Sequence, residues 1–249
     1  MTTAAERREA LKAVYQQAAV CVRCPQLAAT RQTVVFGAGN ADADLMFVGE
    51  APGANEDKQG VPFVGQAGKL LEQLLSEIGL ERSDVFIANT LKCRPPQNRD
   101  PLPDEIESCR SYLFSQLELI QPRVVCTLGN FATKLLRADT TGITKLHGQA
   151  EVRTIGPRAV RLFPIYHPAA ALYTRSLLDT LREDFARLPG LLALEPPPQP
   201  DPAELVTPVA ADEALEVRRP AEQAPPEPAI EAPEPREESP PPASQLGLF

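Results

Sequence analysis

The sequence predicts an α/β fold: a three-layer α/β/α sandwich around a central, mostly parallel four-stranded sheet, followed by a disordered C-terminal tail. Three observations predict it. Short apolar runs alternate with stretches of helical periodicity from about residue 41 to residue 188. The segments after three of those runs are crowded with polar residues, glycine and proline, and the composition breaks sharply near residue 190. Such alternation requires crossover connections between parallel neighbours, and right-handed crossovers coat both faces of a sheet with helices.

Residues 1–17 mix Glu6, Arg7, Arg8, Glu9 and Lys12 with Leu11, Val14 and Tyr15, which reads as an amphipathic helix and carries too much charge for a secretion signal. Residues 44–48 (DLMFV) form an apolar run of strand length. Residues 66–79 (QAGKLLEQLLSEIG) space their leucines by three and four and stop at glycine, as a helix does. Residues 85–91 (VFIANTL) read as a strand, and residues 104–120, opened by prolines, as a helix. A strand at 123–128 (RVVCTL), a helix at 131–137, a strand at 160–166 (VRLFPIY) and a helix at 177–188 complete a βαβαβαβα order. In open parallel sheets ligands bind beyond the carboxyl ends of the strands. The segments expected there are 49–53 (GEAPG), 92–101 (KCRPPQNRDP) and 167–172 (HPAAAL).

The formal charge of −8 is unevenly placed: residues 1–190 carry a net +1 and residues 191–249 a net −9. The acidity belongs to the tail, so it does not exclude a nucleic-acid partner for the first part of the chain. With 15 prolines among its 59 residues, the tail cannot bury enough apolar surface to offset its ordering entropy. The expected division is a folded domain at 1–190 and a disordered tail at 191–249. No apolar run reaches the length of a membrane span. Five cysteines without a secretion signal indicate a reducing, cytoplasmic setting, where cysteines serve as ligands, catalysts or core.

Cys21 and Cys24 form a CxxC pair, Cys93 follows a predicted strand, and Cys109 lies in a predicted helix; Cys126, inside VVCTL, reads as core. Four thiolates suit tetrahedral zinc or a cubane iron–sulfur cluster, and the spacing alone does not choose. Gly65-Gln66-Ala67-Gly68-Lys69 fails the phosphate-loop pattern, because Phe63 and Leu70 stand where a glycine and a hydroxyl are needed. Gly37-Ala38-Gly39 fails the dinucleotide fingerprint at Asp42. Of the two histidines, His147 reads as structural. His167 directly follows an apolar strand and precedes Pro168, which places an imidazole at the ligand-binding edge.

Taken together, residues 49–57 (GEAPGANED), 62–65 (PFVG), 89–99 (NTLKCRPPQNR) and 167–170 (HPAA) resemble the family 4 uracil-DNA glycosylases, iron–sulfur members of the uracil-DNA glycosylase superfamily. The resemblance implies a monofunctional enzyme that flips uracil out of single- or double-stranded DNA and hydrolyses its N-glycosidic bond in base excision repair. It implies that Phe63 stacks on the base, that the Asn89 amide reads N3–H and O4, and that His167 donates to O2 of the departing anion. Ala51 occupies the position where better-known superfamily members carry an aspartate; with Gly53 it belongs to the turn whose backbone N–H groups face substrate. Glu50, Glu56 and Asn98 are the polar residues available to position water, and the bulk of Glu56 is expected to refuse the thymine methyl. Leu172 is expected in a loop that fills the gap left by the flipped base. Cys21, Cys24, Cys93 and Cys109 are expected to hold a structural [4Fe-4S] cluster. The final Gln245-Leu246-Gly247-Leu248-Phe249 resembles the peptide that bacterial repair proteins insert into a sliding clamp, with Gln245, Leu246, Leu248 and Phe249 as the anchoring residues. A monomer is expected. The rival readings are a non-catalytic DNA or clamp adaptor on the same fold and a zinc-stabilised hydrolase of another substrate.

Overall fold

The computed structural model describes residues 3–201 of the 249-residue chain. In chain order the elements are α1 (Ala4–Ala19), α2 (Pro25–Thr30), β1 (Ala38–Gly39), β2 (Leu45–Gly49), α3 (Ala54–Gln59), α4 (Gln66–Glu77), β3 (Phe86–Asn89), α5 (Pro103–Ile120), β4 (Val124–Leu128), α6 (Asn130–Arg137), α7 (Ile143–Leu146), β5 (Glu151–Ile155), β6 (Arg158–Ile165), α8 (Pro168–Tyr173), α9 (Ser176–Ala186) and α10 (Leu188–Ala193). The clamp-like peptide at 245–249 and the tail from residue 202 lie outside the described residues. No helix among the described residues is long and apolar enough to cross a membrane.

Period-two alternation in β2 explains the three layers. Leu45 and Phe47 face one side of the sheet and pack with Leu71 and Leu74 of α4 and Phe185 of α9, while Met46 and Val48 face the other and pack with Leu11 of α1 and Leu113 and Leu117 of α5. Both faces of the central strands are therefore buried, and the runs read as continuously apolar. The helices start on identifiable signals. Thr3 caps α1 by accepting from the Glu6 N–H at 3.2 Å, and Glu6 returns the bond to the Thr3 N–H at 2.7 Å. Pro103 opens α5, where Glu105 accepts from the Leu102 N–H at 2.9 Å.

Among the described residues the sheet has six strands in the order β1-β3-β2-β4-β6-β5, not the four expected. The core β3-β2-β4-β6 is parallel, and the two additions are antiparallel edges. β1 is two residues long and too short to leave a pattern. β5 reads Glu-Val-Arg-Thr-Ile, with only Ile155 buried, because an edge strand has one face in water. The expected final helix also divides: Pro189 opens α10 after α9 has ended. Packing continues past residue 190, since Arg123 donates to Leu194 O at 2.6 Å and Gln199 pairs with both Ala159 N and Ala159 O.

Candidate active site

From β2 the chain moves to β3 on one side and from β3 crosses back to β4 on the other, so the sheet's switch point lies beside the carboxyl end of β2. A pocket of about 420 Å³ opens there. It brings together His167, Glu50, Glu56 and Asn98 with Ala51, Gly53, Phe63 and Asn89, residues separated by more than a hundred positions in the chain.

Asn89 ends β3 and is 2% exposed; its Oδ1 is buried without a hydrogen-bond partner. An orphaned buried carbonyl costs roughly 1–3 kcal/mol, so the site is built for a donor that arrives from outside. Gly49, paired in register with Asn89, makes room: a Cβ there would lie 2.4 Å from Asn89 Oδ1 and 2.8 Å from the Phe63 ring. Phe63 is buried and stacks on the His167 ring with centroids 5.5 Å apart. Gly68, left without a role by the failed phosphate-loop pattern, lets α4 approach that turn, because a Cβ there would meet Phe63 O at 1.9 Å.

His167 caps α8, and its Nδ1 accepts from the Ala169 N–H at 3.1 Å. Burial drives the imidazole down to about 4 against the opposing pull of the Glu56 carboxylate. At neutral pH the ring is therefore uncharged, and with Nδ1 accepting, its one proton sits on Nε2. The result is a fixed neutral N–H donor.

The carboxylates differ in role. Glu56 Oε1 accepts from the Val64 and Gly65 N–H groups, both at 2.9 Å, and so pins the turn after Phe63. Burial, with the negative charge of Asp100 behind it, pushes the Glu50 carboxyl up to about 7. Asn98 Oδ1 accepts from Arg94 Nε at 2.7 Å, which leaves its –NH₂ toward other partners. Arg99 also lines the pocket but is paired with Glu105 at 2.6 Å.

A second, small cavity is lined by Cys21, Cys24, Cys93 and Cys109 together with Arg31, Lys92 and Tyr112. Arg31 Nη1 lies 3.4 Å from Cys93 Sγ, and the Lys92 N–H donates to Cys109 Sγ at 3.3 Å. Burial pushes the Cys109 thiol up to about 11. Among the described residues no group of three or more His, Cys, Asp or Glu is set to hold a single metal ion. The thiols surround a space, as a multi-atom cluster requires, and cationic or N–H donors face two of the sulfurs. This donor set fits a cluster with four cysteine ligands. Cys126 is wholly buried in β4.

Leu172 lies in the short helix α8 and not in a loop, because Pro168 starts a helical turn directly after the strand exit. It is 48% exposed and its neighbour Tyr173 90% exposed. His147 is structural, with Nδ1 3.2 Å from Asp184 Oδ2 and its ring 4.6 Å from that of Tyr166. Sequence reading missed Lys92 and Arg82. Lys92 is 1% exposed and donates to Asn89 O at 2.9 Å and Gln116 Oε1 at 2.6 Å. Its place between a strand and a candidate ligand was the available signal; Arg82 left none.

The family profile described as the uracil DNA glycosylase superfamily matches residues 36–188. The chain is 46% identical over 185 residues to a type-4 uracil-DNA glycosylase of Sulfurisphaera tokodaii, covering 72% of this chain and 84% of that protein. It is 44% identical over 194 residues to the type-4 enzyme of Archaeoglobus fulgidus, covering 76% and 96%. It is 46% identical over 181 residues to that of Saccharolobus solfataricus, covering 71% and 83%.

The buried imidazole gives a testable linkage. Between pH 6.5, the ordinary histidine value, and about 4, the unfolded chain binds a proton that the native His167 refuses. Its contribution to stability is therefore intact above pH 6.5 and declines as the pH falls toward 4, by at most about 1.4 kcal/mol per pH unit. Urea unfolding of the wild type and His167→Gln at stepped pH should show the difference between them shrinking across that window.

Proposed function

Because the chain belongs to the uracil-DNA glycosylase superfamily, we propose that its pocket receives a uracil turned out of DNA and holds it while water cleaves the N-glycosidic bond. The activity is that of a uracil-DNA glycosylase, a hydrolase acting on DNA. The observation that carries the mechanism is the pairing, in one cavity, of an unpartnered Asn89 Oδ1 with a neutral His167 whose proton is on Nε2.

Uracil offers N3–H and accepts at O4, which an asparagine amide matches with Oδ1 and Nδ2; cytosine reverses both and would leave buried groups unpaired. Phe63 supplies an apolar face for stacking, typically ~1–3 kcal/mol per base. As the bond breaks, charge grows on O2, where the His167 Nε2–H donates and needs no reorganisation. Glu56 works through its hold on the Val64 and Gly65 amides, keeping the pocket wall firm against the additional methyl of thymine. Glu50 is the carboxylate placed to take the proton of the attacking water, and Asn98 orients that water through its –NH₂. The backbone of Ala51 and Gly53 lines the same wall.

The reaction is read as monofunctional hydrolysis by water, and the buried Lys92 is committed to Asn89 O and Gln116. Leu172, exposed on α8 just beyond His167, fills the gap in the stack, with Tyr173 beside it. Cys21, Cys24, Cys93 and Cys109 would hold a [4Fe-4S] cluster that ties the α1–α2 connection to the exit of β3. Its contribution is structural, since hydrolysis moves no electrons. The enzyme is read as a cytoplasmic monomer whose catalytic domain begins at residue 1 and, with packing as far as Gln199, runs somewhat past the expected limit of 190, the rest of the tail presenting Gln245, Leu246, Leu248 and Phe249 to a sliding clamp.

A uracil-containing oligonucleotide incubated with cluster-loaded protein should acquire an alkali-labile site, and His167→Ala should lower that rate by about 10²–10³. No such site with wild-type protein would sink the reading. If Glu50 is the base, kcat/KM should climb with pH through about 7, and Glu50→Gln should flatten that rise while lowering the rate roughly a hundredfold or more. Deleting residues 245–249 should abolish binding to an immobilised bacterial sliding clamp while oligonucleotide cleavage stays at the wild-type level.

A further inference from the structure

The turn that carries Phe63 is held from both sides by opposite charges. Arg82, in the short turn Arg82–Asp84 that precedes β3, donates Nη1 to Phe63 O at 3.0 Å and Nη2 to Pro62 O. Glu56, from α3, accepts the next two N–H groups, those of Val64 and Gly65. Four consecutive residues thus give two carbonyls to a guanidinium and two amides to a carboxylate. Between them Phe63 adopts φ +54°, a left-handed conformation that a bulky side chain enters only when its surroundings impose it.

We propose that Arg82 is a positioning residue for base recognition: with Glu56 it forms a charged bracket that fixes Phe63 in the left-handed conformation and so aims its ring into the pocket. The inference rests on the uracil-pocket reading above and extends it to a residue that does not line the cavity. Three features argue for this role over a surface ion pair. The guanidinium spends two N–H groups on backbone carbonyls, and its carboxylate partner, Glu72, is the more distant contact at 3.3 Å. The planar fork matches two successive carbonyls, which an ammonium cannot do. Gly68 permits α4 to press against the same backbone, so the turn is confined from a third side.

The test is a double-mutant cycle on the full-length, cluster-loaded protein with a uracil-containing oligonucleotide, supported by amide exchange. Arg82→Met should lower kcat/KM by roughly ten- to a hundredfold, the value of one base–aromatic stack. Phe63→Ala should do the same, and the double variant should be no worse than Phe63→Ala alone, because both changes remove one interaction. Amide exchange should quicken in the peptide spanning residues 62–66 of Arg82→Met and stay unchanged in β2. Glu72→Gln should leave kinetics and exchange at the wild-type level. Arg82→Lys, which keeps the charge and loses the fork, should fall between wild type and Arg82→Met, and it carries the cycle should Arg82→Met fail to fold. Losses that multiply in the double variant, unchanged exchange at 62–66, or Arg82→Met activity within about twofold of wild type would overturn the proposal. A wild-type protein that releases no uracil defeats the function reading instead, and the exchange measurement still decides the bracket.

Discussion

A fully buried ammonium sets the terms for the carboxyl edge of β3. Taking a cation out of water costs several kcal/mol unless its hydrogen-bonding capacity is met inside. Lys92 meets it with Asn89 O, Gln116 Oε1 and the face of Phe36 at 5.7 Å; burial still draws its pKa down to about 8, against the pull of the Cys109 and Cys93 sulfurs. Gln116 is fixed in turn by donating Nε2 to Phe36 O at 2.8 Å. Asn89, which ends the strand, and Cys93, which follows Lys92, are thus tied to one charge. The Asn89 amide and the cysteine-lined cavity share a single short segment, and displacing either would expose Lys92 to an unmet burial cost. On the proposed function, the cysteine-lined cavity would bear on recognition by sharing with Asn89 the segment that Lys92 anchors.

The pocket's charge balance gives the imidazole its importance. Two carboxylates line the cavity, and the arginine that lines it is paired with Glu105. In the proposed reaction an anionic leaving group in these surroundings would gain from donors that carry no competing partner. His167 would meet that need because Nδ1 is already occupied by the Ala169 amide, which leaves Nε2–H as the ring's one outward group. The raised pKa of Glu50 has the same origin: burial and the charge of Asp100 disfavour its ionised form.

The central parallel strands and most of the long helices were legible in the sequence because their signals are local: continuous apolar runs, leucines at three and four, prolines at helix starts. The edge strands were not, since β1 is too short for a period and β5 has one face in water. The pocket residues were legible as short motifs after strand ends. Their couplings were not. Nothing around Arg82 marks it as the partner of Phe63 O nineteen residues earlier, and no pattern shows that Gly68 is a glycine because Phe63 O lies where its Cβ would be. Leu172 was placed in a loop for a related reason, because a six-residue helix begun by Pro168 leaves almost no periodicity to read.

The distribution of backbone strain follows the same division. Five described residues other than glycine have positive φ: Phe63, Gln97, Asn98, Gln121 and Ala138. Gln121 and Ala138 end α5 and α6, where a left-handed residue settles the last carbonyls of a helix. The remaining three have no helix to cap, and they lie in the two loops that wall the pocket. Such conformations cost on the order of 1 kcal/mol or more each and persist only where surrounding contacts over-determine them. Arg82 and Glu56 supply those contacts for Phe63, and Arg94 supplies one for Asn98. A wall fixed in this way holds the Phe63 ring and the Asn98 amide in set positions. Donors aimed in advance at a growing charge give their full effect in the transition state, so for the proposed reaction the strain set in these loops, balanced by charges behind them, would serve by holding the pocket still.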